Sequence, residues 1–290
     1  MPPSLTPRLQ LLAAALLFST GGAAIKLTHS TSWQIASFRS AIAAIALFLL
    51  LPESRSGWTR AAWLAGIPYA GSLVTFVLAT KLTSAANAIF LQAASPLYVM
   101  LLGPVFLKER LRGHDLPFLL ALAVGLTLAF LGQPEHSATA PNPALGNLLG
   151  SISGAFWGIA LISLRMLTRG GDPATGIRTA VSGNVITFLV CLPMAVQSPV
   201  DPGWQEALGI GYMGVFQVAL AYTLLVRGIS QVPAVESAAL LLAEPALNPV
   251  WAWLAVNERP PLAVLAGGAL ILTASLVNVI FKARLTPIRR

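Results

Sequence analysis

The stretch LLLAEPALNP, residues 240–249, sets one acid among apolar residues and beside two prolines. A carboxylate at the centre of a bilayer costs at least roughly 2.5 kcal/mol, so Glu244 should face the protein interior. There it could carry a proton, accept a substrate ammonium group, or bond to a neighbouring helix as a structural acid. These three roles stay open at the level of the sequence.

Polar side chains recur on one face of two predicted membrane helices. At about 100° per residue, the polar residues of 85–107 fall within an arc of roughly 140°, and those of 234–256 within about 120°. The residues concerned are Asn87, Gln92, Ser95 and Tyr98 in the first helix, and Glu236, Ser237, Glu244 and Asn248 in the second. We predict that such faces line a substrate cavity.

Three prolines add to these faces. Pro96, Pro245 and Pro249 lack an N–H, so the carbonyls four residues earlier lose their helical donors. We predict that these prolines are hinges. The alternative is a kink that only improves helix packing.

Other predicted helices carry further candidates for substrate contact, namely Ser19, Tyr69, Trp157, Gln217 and Tyr222. Trp157 lies in a run with glycine at four-residue intervals, Gly146, Gly150, Gly154 and Gly158. Such a ridge lets another helix approach closely. We predict that Trp157 either forms an aromatic wall for a substrate or fills the core.

The elements that must hold these residues are membrane helices. Of the 290 residues, 56% are hydrophobic and 10% are Asp, Glu, Lys or Arg, whereas a soluble domain carries roughly 25% charged residues. The net charge of +8 does not indicate a nucleic-acid partner, because the basic residues lie singly or in small groups at the ends of apolar runs. The composition therefore predicts an integral membrane protein.

Ten apolar runs are separated by polar or Pro/Gly-rich breaks, and each is close to the roughly 20 residues that cross a bilayer. We predict membrane helices at 9–28, 33–51, 60–80, 85–107, 115–133, 145–165, 177–196, 205–226, 234–256 and 262–282.

The distribution of basic residues predicts the orientation. With both termini on one side, that side receives all but four of the 18 Lys and Arg residues, the exceptions being Lys26, Arg39, Lys81 and Arg259. Because positive loops favour the cytoplasm, both termini should be cytoplasmic. We predict that Lys26, Arg39 and Lys81 snorkel to the outer interface. For Arg39, a role as a buried counter-ion is the alternative.

An internal repeat relates the two halves of the chain. A shift of 149 residues lays 85–110 on 234–259 without a gap, and it matches Ala85 with Ala234, Pro96 with Pro245, and Glu109-Arg110 with Glu258-Arg259. Each half holds five helices, and five is odd, so the second half must be inverted in the membrane.

We therefore predict an all-α membrane protein of ten transmembrane helices in two inverted five-helix repeats. The repeats are residues 1–137 and 138–290, and the stretch 134–143 links them. Inverted repeats place a substrate site near the midplane and allow alternating access.

The segments SPLYVMLLGPVFLKERL and EPALNPVWAWLAVNERP resemble paired EamA domains of the drug/metabolite transporter (DMT) superfamily. AFWGIAL around Trp157 is similar to the aromatic-Trp-Gly signature of that family, whereas LFSTGGA has Ser19 in place of Trp, so an aromatic wall would be one-sided. The resemblance implies export of small metabolites, commonly amino acids, through a central cavity. The cavity would be lined by the first, third, fourth, sixth, eighth and ninth helices. Amino-acid exporters of the YddG type are the functional model that this architecture suggests.

The resulting hypothesis is a bacterial inner-membrane exporter of amino acids, aromatic and other neutral ones, and related small metabolites. The alternative is a multidrug or lipophilic-cation efflux transporter that uses Glu244. We expect no enzyme, since there is neither an HExxH motif nor a plausible Ser/His/Asp set, and the scattered histidines predict no metal. The expected partners are a small-molecule substrate and the lipid bilayer, with no cofactor and no nucleic acid. A monomer is compatible with the sequence, which leaves the oligomeric state open.

Overall fold

The computed structural model describes residues 5–108, 113–132, 137–168, 174–199 and 203–285, and in these ranges the chain is helical with no strand. The helices form ten spans, numbered in chain order: Leu5–Ser19 with Gly21–Leu27; Ser32–Leu50; Arg60–Leu82; Ala85–Ala93 with Ser95–Phe106; Leu116–Leu131; Pro143–Thr168; Thr175–Ala195; Trp204–Tyr212, Met213–Leu220 and Ala221–Ile229; Ala234–Leu241 with Ala243–Val256; and Leu262–Leu285.

Length and composition fit a membrane environment. Within the described ranges, nine spans are long and apolar enough to cross a bilayer, and the fifth, Leu116–Leu131, is a shorter apolar helix of 16 residues. At 1.5 Å per residue that helix covers about 24 Å of a hydrocarbon core about 30 Å thick. The predicted all-α membrane fold is confirmed, whereas the cytoplasmic orientation of the termini stays a prediction.

Several helix starts are fixed by hydroxyl caps. Thr31 and Gln34 form a reciprocal capping box at the start of the second span. Thr59 accepts a hydrogen bond from the Ala62 N–H at the start of the third. Ser84 accepts one from the Asn87 N–H at the start of the fourth. These caps satisfy N–H groups that a helix leaves open at its first turn.

The ten spans alternate in direction, so the start of the first span at Leu5 and the end of the tenth at Leu285 lie at one end of the bundle, which we call the terminal face. The other end carries residues 137–142, which connect the halves, and we call it the link face. The N–H of Asn142 donates to the Leu82 carbonyl, 3.1 Å away, and so fastens this connection to the end of the third span.

Packing follows an exchange symmetry between the halves. The third span packs against the sixth, and the eighth against the first, while the second packs against the seventh and the fifth against the tenth. Exchanging each span with its counterpart in the other half reproduces this set of neighbours. The fifth and tenth spans cross where a Cβ atom on Gly267 would lie 2.6 Å from the Gly125 carbonyl oxygen. This arrangement supports the inverted repeat.

Two helix breaks also match between the halves. The fourth span is interrupted at Ala94, two residues before Pro96, and the ninth at Leu242, three residues before Pro245. Under the 149-residue shift the two breaks differ by one position. Pro249 lies inside the continuous helix Ala243–Val256, so no break accompanies the third predicted hinge.

The eighth span has a feature that the sequence did not predict. Its middle, Met213–Leu220, is a π-helix, whose wider turn is rare and often marks functional sites. Gln217 lies in this segment. The wider turn sets the directions in which the side chains of this span point.

Candidate functional site

The polar residues of the first half converge on the sixth span. The Gln92 amide nitrogen donates to the Ser72 hydroxyl at 3.1 Å and to the Ser153 hydroxyl at 2.8 Å. The rings of Tyr69 and Trp157 lie 5.6 Å apart between centroids, with an angle of 56° between their planes. The structure thus brings residues of the third, fourth and sixth spans into one cluster.

The glycine ridge of the sixth span allows this convergence. A Cβ atom on Gly154 would lie 2.7 Å from the Leu91 carbonyl oxygen, and one on Gly158 would lie 3.0 Å from the Cβ of Tyr98. The predicted close packing along the ridge is therefore present. Ser95 is buried at the break of the fourth span, where its carbonyl oxygen faces Gly158.

The corresponding cluster of the second half forms around the first span. The Trp251 indole nitrogen donates to the Ser19 hydroxyl at 2.8 Å, and the hydroxyls of Thr20 and Tyr212 lie 2.9 Å apart. The indole beside Ser19 thus comes from the ninth span, which the sequence prediction of a one-sided aromatic wall did not include.

Two buried amide side chains lie against Gly21 and Gly22, the glycines that follow Ser19 and Thr20 in the first span. The Gln217 amide nitrogen reaches the Phe18 carbonyl at 3.5 Å and lies against Gly21. Asn248 is 1% exposed and lies against Gly22, where a Cβ atom would be 2.4 Å from its amide oxygen. Gln217 and Asn248 therefore both lie against the first span, within three residues of Ser19.

Glu244 differs from the two other glutamates in the described spans. In the part of the chain that the structure describes, Glu206 bonds to Ser30 and the backbone of His29, and Glu236 pairs with Arg8, whereas the Glu244 carboxylate has no hydrogen-bond partner. Its oxygens are nevertheless not sealed from solvent, and the residue is half-buried. The predicted alternative of a structural acid bonded to a neighbouring helix thus has no contact among these residues to support it.

Tyr69 connects this acid to two further aromatic side chains, Trp157 and Tyr222. Tyr69 lies within electrostatic range of Glu244 and of Tyr222. The Tyr222 hydroxyl donates to the Gly176 carbonyl at 3.0 Å, and both Trp157 and Tyr222 remain half-buried although their rings point at other spans. We call Tyr69, Trp157, Tyr222 and Glu244 the central aromatic site, and infer that it borders an internal space.

Among the described residues, the fourth and ninth spans pack against each other at one end of the bundle only. Near the link face, Ala85–Ala93 of the fourth span contacts Ala243–Val256 of the ninth. Near the terminal face, no close packing is present between Ser95–Phe106 and Ala234–Leu241 within the described ranges. The bundle is therefore closed at the link face and open at the terminal face.

A separate cleft of about 700 Å³ lies at the link end of the first, eighth and ninth spans, with Thr20, Tyr212 and Trp251 among its walls. Leu208 and Leu254, also on its walls, are more than half exposed and point outward. Since all its walls belong to neighbouring spans of one side, this cleft is lateral and does not pass between the halves.

Asn87 lies away from the central aromatic site. Its side chain is fully buried at the start of the fourth span, where the amide nitrogen donates to the Ala129 carbonyl at 3.0 Å and to the Asn147 amide oxygen at 2.9 Å. The Ser84 hydroxyl donates to its amide oxygen at 2.7 Å. The polar groups of Asn87 are thus engaged by the protein itself.

We expect Asn87→Leu to destabilise the folded protein by about 1–3 kcal/mol, because the buried partners of the amide lose their hydrogen bonds. A lower thermal midpoint in detergent would show this. The folded fraction of the variant should bind substrate with unchanged affinity. Weakened binding at unchanged stability would instead support the predicted substrate contact.

Arg39 and Lys26 do not snorkel, contrary to the prediction. Arg39 is 2% exposed, and its Nε and one terminal nitrogen have no hydrogen-bond partner among the described residues. The second span packs against the third, seventh and eighth spans, and Arg39 lies on this packed side. Lys26 is 2% exposed at its side chain and pairs with Glu258. Burial raises the pKa of the Glu258 carboxyl, and Lys26 opposes that rise.

Tyr212 and Trp251 are neighbours of predicted residues that the sequence reasoning missed. A signal for Tyr212 was present, since GIPYAG at 66–71 and GIGYMG at 209–214 match at a shift of 143 residues. This match makes Tyr212 the counterpart of Tyr69. Trp251 had no such signal, because its position beside Ser19 depends on how the ninth span packs.

Comparison with known proteins agrees with this architecture. The family model described as EamA-like transporter family matches residues 7–131 and 144–280. The pseudopaline exporter CntI of Pseudomonas aeruginosa, found in two strains, is 25% identical over 273 residues, which are 90% of this chain and 91% of the relative. A solved crystal structure has a TM-score of 0.64 at 21% identity over 96% of this chain and 98% of its own, and this likeness concerns the fold alone.

The two family matches cover one half of the chain each, as the inverted repeat requires, although the exact boundary at 137/138 stays a prediction. The protein is a transporter rather than an enzyme and a multi-pass protein of the bacterial inner membrane. The chain belongs to the EamA-like transporter family.

Proposed function

We propose that the protein exports amino acids, aromatic and other neutral ones, and related small metabolites by alternating access. The observation that carries this proposal is the Glu244 carboxylate, which has no hydrogen-bond partner among the described residues and lies within electrostatic range of Tyr69 in the central aromatic site. A carboxylate can accept the ammonium group of an amino acid. The rings of Tyr69, Trp157 and Tyr222 offer an apolar surface for its side chain, and aromatic faces also attract cations.

The open face supports the direction of loading. Fourteen of the 18 basic residues fall on the side of the termini in the predicted topology, which makes the terminal face cytoplasmic by the positive-inside rule. The internal space then opens toward the cytoplasm. A cargo would enter from this face and leave after the link face opens.

The relative supports export of a small metabolite but not a particular cargo. CntI is a pseudopaline exporter by name, and it covers nearly the whole of this chain. At 25% identity the cargo can differ while the direction of transport is shared. The proposal of amino acids therefore rests on the central aromatic site.

Efflux of lipophilic cations is the second candidate, and the same carboxylate favours it. A buried acid beside aromatic rings also suits a cation without a carboxylate. The two candidate functions differ in the contacts that the cargo needs. A neutral amino acid needs a partner for its carboxylate, whereas a lipophilic cation does not.

Proteoliposomes separate these functions. Vesicles that contain the purified protein are loaded with labelled tryptophan, phenylalanine or leucine, or with tetraphenylphosphonium, and efflux is compared with protein-free vesicles. We expect protein-dependent efflux of the amino acids and counterflow when unlabelled amino acid is outside. Efflux of tetraphenylphosphonium alone would favour the second candidate, and efflux of none of these compounds would contradict both. Repeating counterflow with an imposed pH gradient reports whether protons are coupled.

A further inference from the structure

The closed link face is held by charged side chains rather than by apolar packing alone. The Lys26 ammonium lies 3.5 Å from the Glu258 carboxylate and donates to the Thr83 carbonyl at 2.6 Å and to the Thr139 carbonyl. The other Glu258 oxygen accepts from the Ala85 N–H at 2.6 Å, at the start of a helix, where a carboxylate is favoured. We call Lys26, Lys81 and Glu258 the link-face lock.

Three hydrogen bonds of the lock cross between two groups of spans, whereas the Lys26–Glu258 ion pair lies within one of these groups. The first, eighth and ninth spans pack together as one unit, and the third, fourth and sixth as the other. Lys26 of the first unit binds Thr83 of the second, and Glu258, just after the ninth span, binds Ala85 of the fourth. Lys81, in the opposite sense, extends from the third span to the Thr28 carbonyl after the first.

The other ion pair of the described residues joins the same two spans at the opposite face of the bundle. Arg8 and Glu236 pair at the terminal face through two hydrogen bonds, one of them 3.1 Å long, and their side chains are 34% and 35% exposed. Both residues belong to the same unit, because the first and ninth spans are neighbours in it. This pair can therefore persist whether the terminal face is open or closed.

We propose that the link-face lock is the release gate of the transporter: Lys26, Lys81 and Glu258 are positioning residues whose hydrogen bonds between the two groups of spans break when the link face opens to let cargo leave. The ion pair is almost fully buried, with side-chain exposures of 2% and 7%, so water cannot compete for it while the face is closed. Opening hydrates both charges, which lowers the cost of breaking their hydrogen bonds to Thr83 and Ala85 in the other group of spans. The inference rests on the alternating access of the proposed function but not on the identity of the cargo.

Neutralising the lock should therefore shift the population toward the state that is open at the link face. Lys26→Met removes the charge and three contacts, while Glu258→Gln keeps an acceptor for the Ala85 N–H and removes only the charge. Lys81→Met removes one hydrogen bond between the units and leaves no buried carboxylate without its cation. We expect the largest shift for Lys26→Met.

Cysteine labelling from each side of the membrane measures this shift without any cargo. In the full chain with Cys191 replaced by alanine, Trp157→Cys places a single thiol at the half-buried central aromatic site. A membrane-impermeant maleimide, applied to one side of sealed vesicles at a time, reports which face gives access. We expect labelling through the link face to rise about 5-fold or more in Lys26→Met, and in the same direction in the other two variants.

Arg8→Met is the matched control, because it breaks an ion pair of the same unit at the opposite, terminal face. It should leave labelling through the link face unchanged. If all three lock variants fold, as judged by gel filtration in detergent, and label like the parent, the lock is structural and the proposal is wrong. Should Lys26→Met fail to fold, Lys81→Met decides by the same measurement. Because no amino acid is used, a failure here is distinguishable from a failure of the cargo proposal.

Discussion

Replacing Glu244 with glutamine is expected to lower efflux of a labelled neutral amino acid from proteoliposomes about 10-fold or more. The substitution keeps the shape of the side chain and removes its charge. The Glu244 carboxylate belongs to the central aromatic site and has no hydrogen-bond partner among the described residues. A hydrogen bond to a charged group contributes about 1.5–3 kcal/mol, so loss of the charge should be felt mainly in the binding of an ammonium group. The stability of the protein should not fall, because no bond within the protein is lost.

Glu236→Gln is the control in the same span. Its carboxylate is about one-third exposed and already paired with Arg8, and an exposed pair of this kind contributes about 0–1 kcal/mol. We expect its efflux to stay close to that of the parent. Equal efflux by both variants and the parent would contradict the role of Glu244 in binding.

The same variant separates two of the roles that the sequence left open for Glu244. If the acid accepts the substrate ammonium, counterflow at equal pH on both sides should fall together with net efflux. If it carries a proton, counterflow at equal pH should persist while the response to an imposed pH gradient disappears.

The membrane helices and their breaks could be predicted from the sequence because both depend on local chemistry. Twenty apolar residues form a helix in lipid since no other local structure satisfies the backbone. A proline removes a hydrogen bond wherever it lies, so the interruptions before Pro96 and Pro245 follow from residue type and position. The inverted repeat follows from counting an odd number of spans in each half.

The partners of the polar residues could not be predicted in this way. Helical periodicity places Asn87 and Glu236 on a polar face, but it does not say which span that face meets. In the structure Asn87 bonds to Asn147, and Glu236 bonds to Arg8, which is 228 positions away in the chain. Asn87 thereby holds spans together at the link face, and Glu236 does so at the terminal face.

The burial of Arg39 shows the same limit for charge. Its distance from the end of the second span would allow a long side chain to reach the interface if the helix stood alone. The seventh span packs along the second and closes this route. Whether a charged side chain snorkels thus depends on the neighbouring helices, which a single sequence does not specify.

Pro245→Ala is expected to slow efflux about 10-fold or more by joining the two helical segments of the ninth span. An alanine here supplies the N–H that the Leu241 carbonyl lacks in a helix, and the helix interior gains about 3 kcal/mol relative to proline. The continuous helix would move the Glu244 carboxylate relative to the rings of the central aromatic site. Amide hydrogen exchange across 241–246 should slow as the new helical turn forms, and this measures the cause independently of transport.

Pro249→Ala tests whether the break itself matters, because Pro249 lies four residues further along the same span, inside a helix that is already continuous. Its replacement should leave both hydrogen exchange across 241–246 and efflux close to those of the parent. If the two proline variants slowed efflux equally, the effect would come from altered packing of the ninth span and the hinge at Pro245 would be ruled out. A slow Pro245→Ala variant beside an active Pro249→Ala variant would instead show that alternating access needs the break in the ninth span just before Glu244.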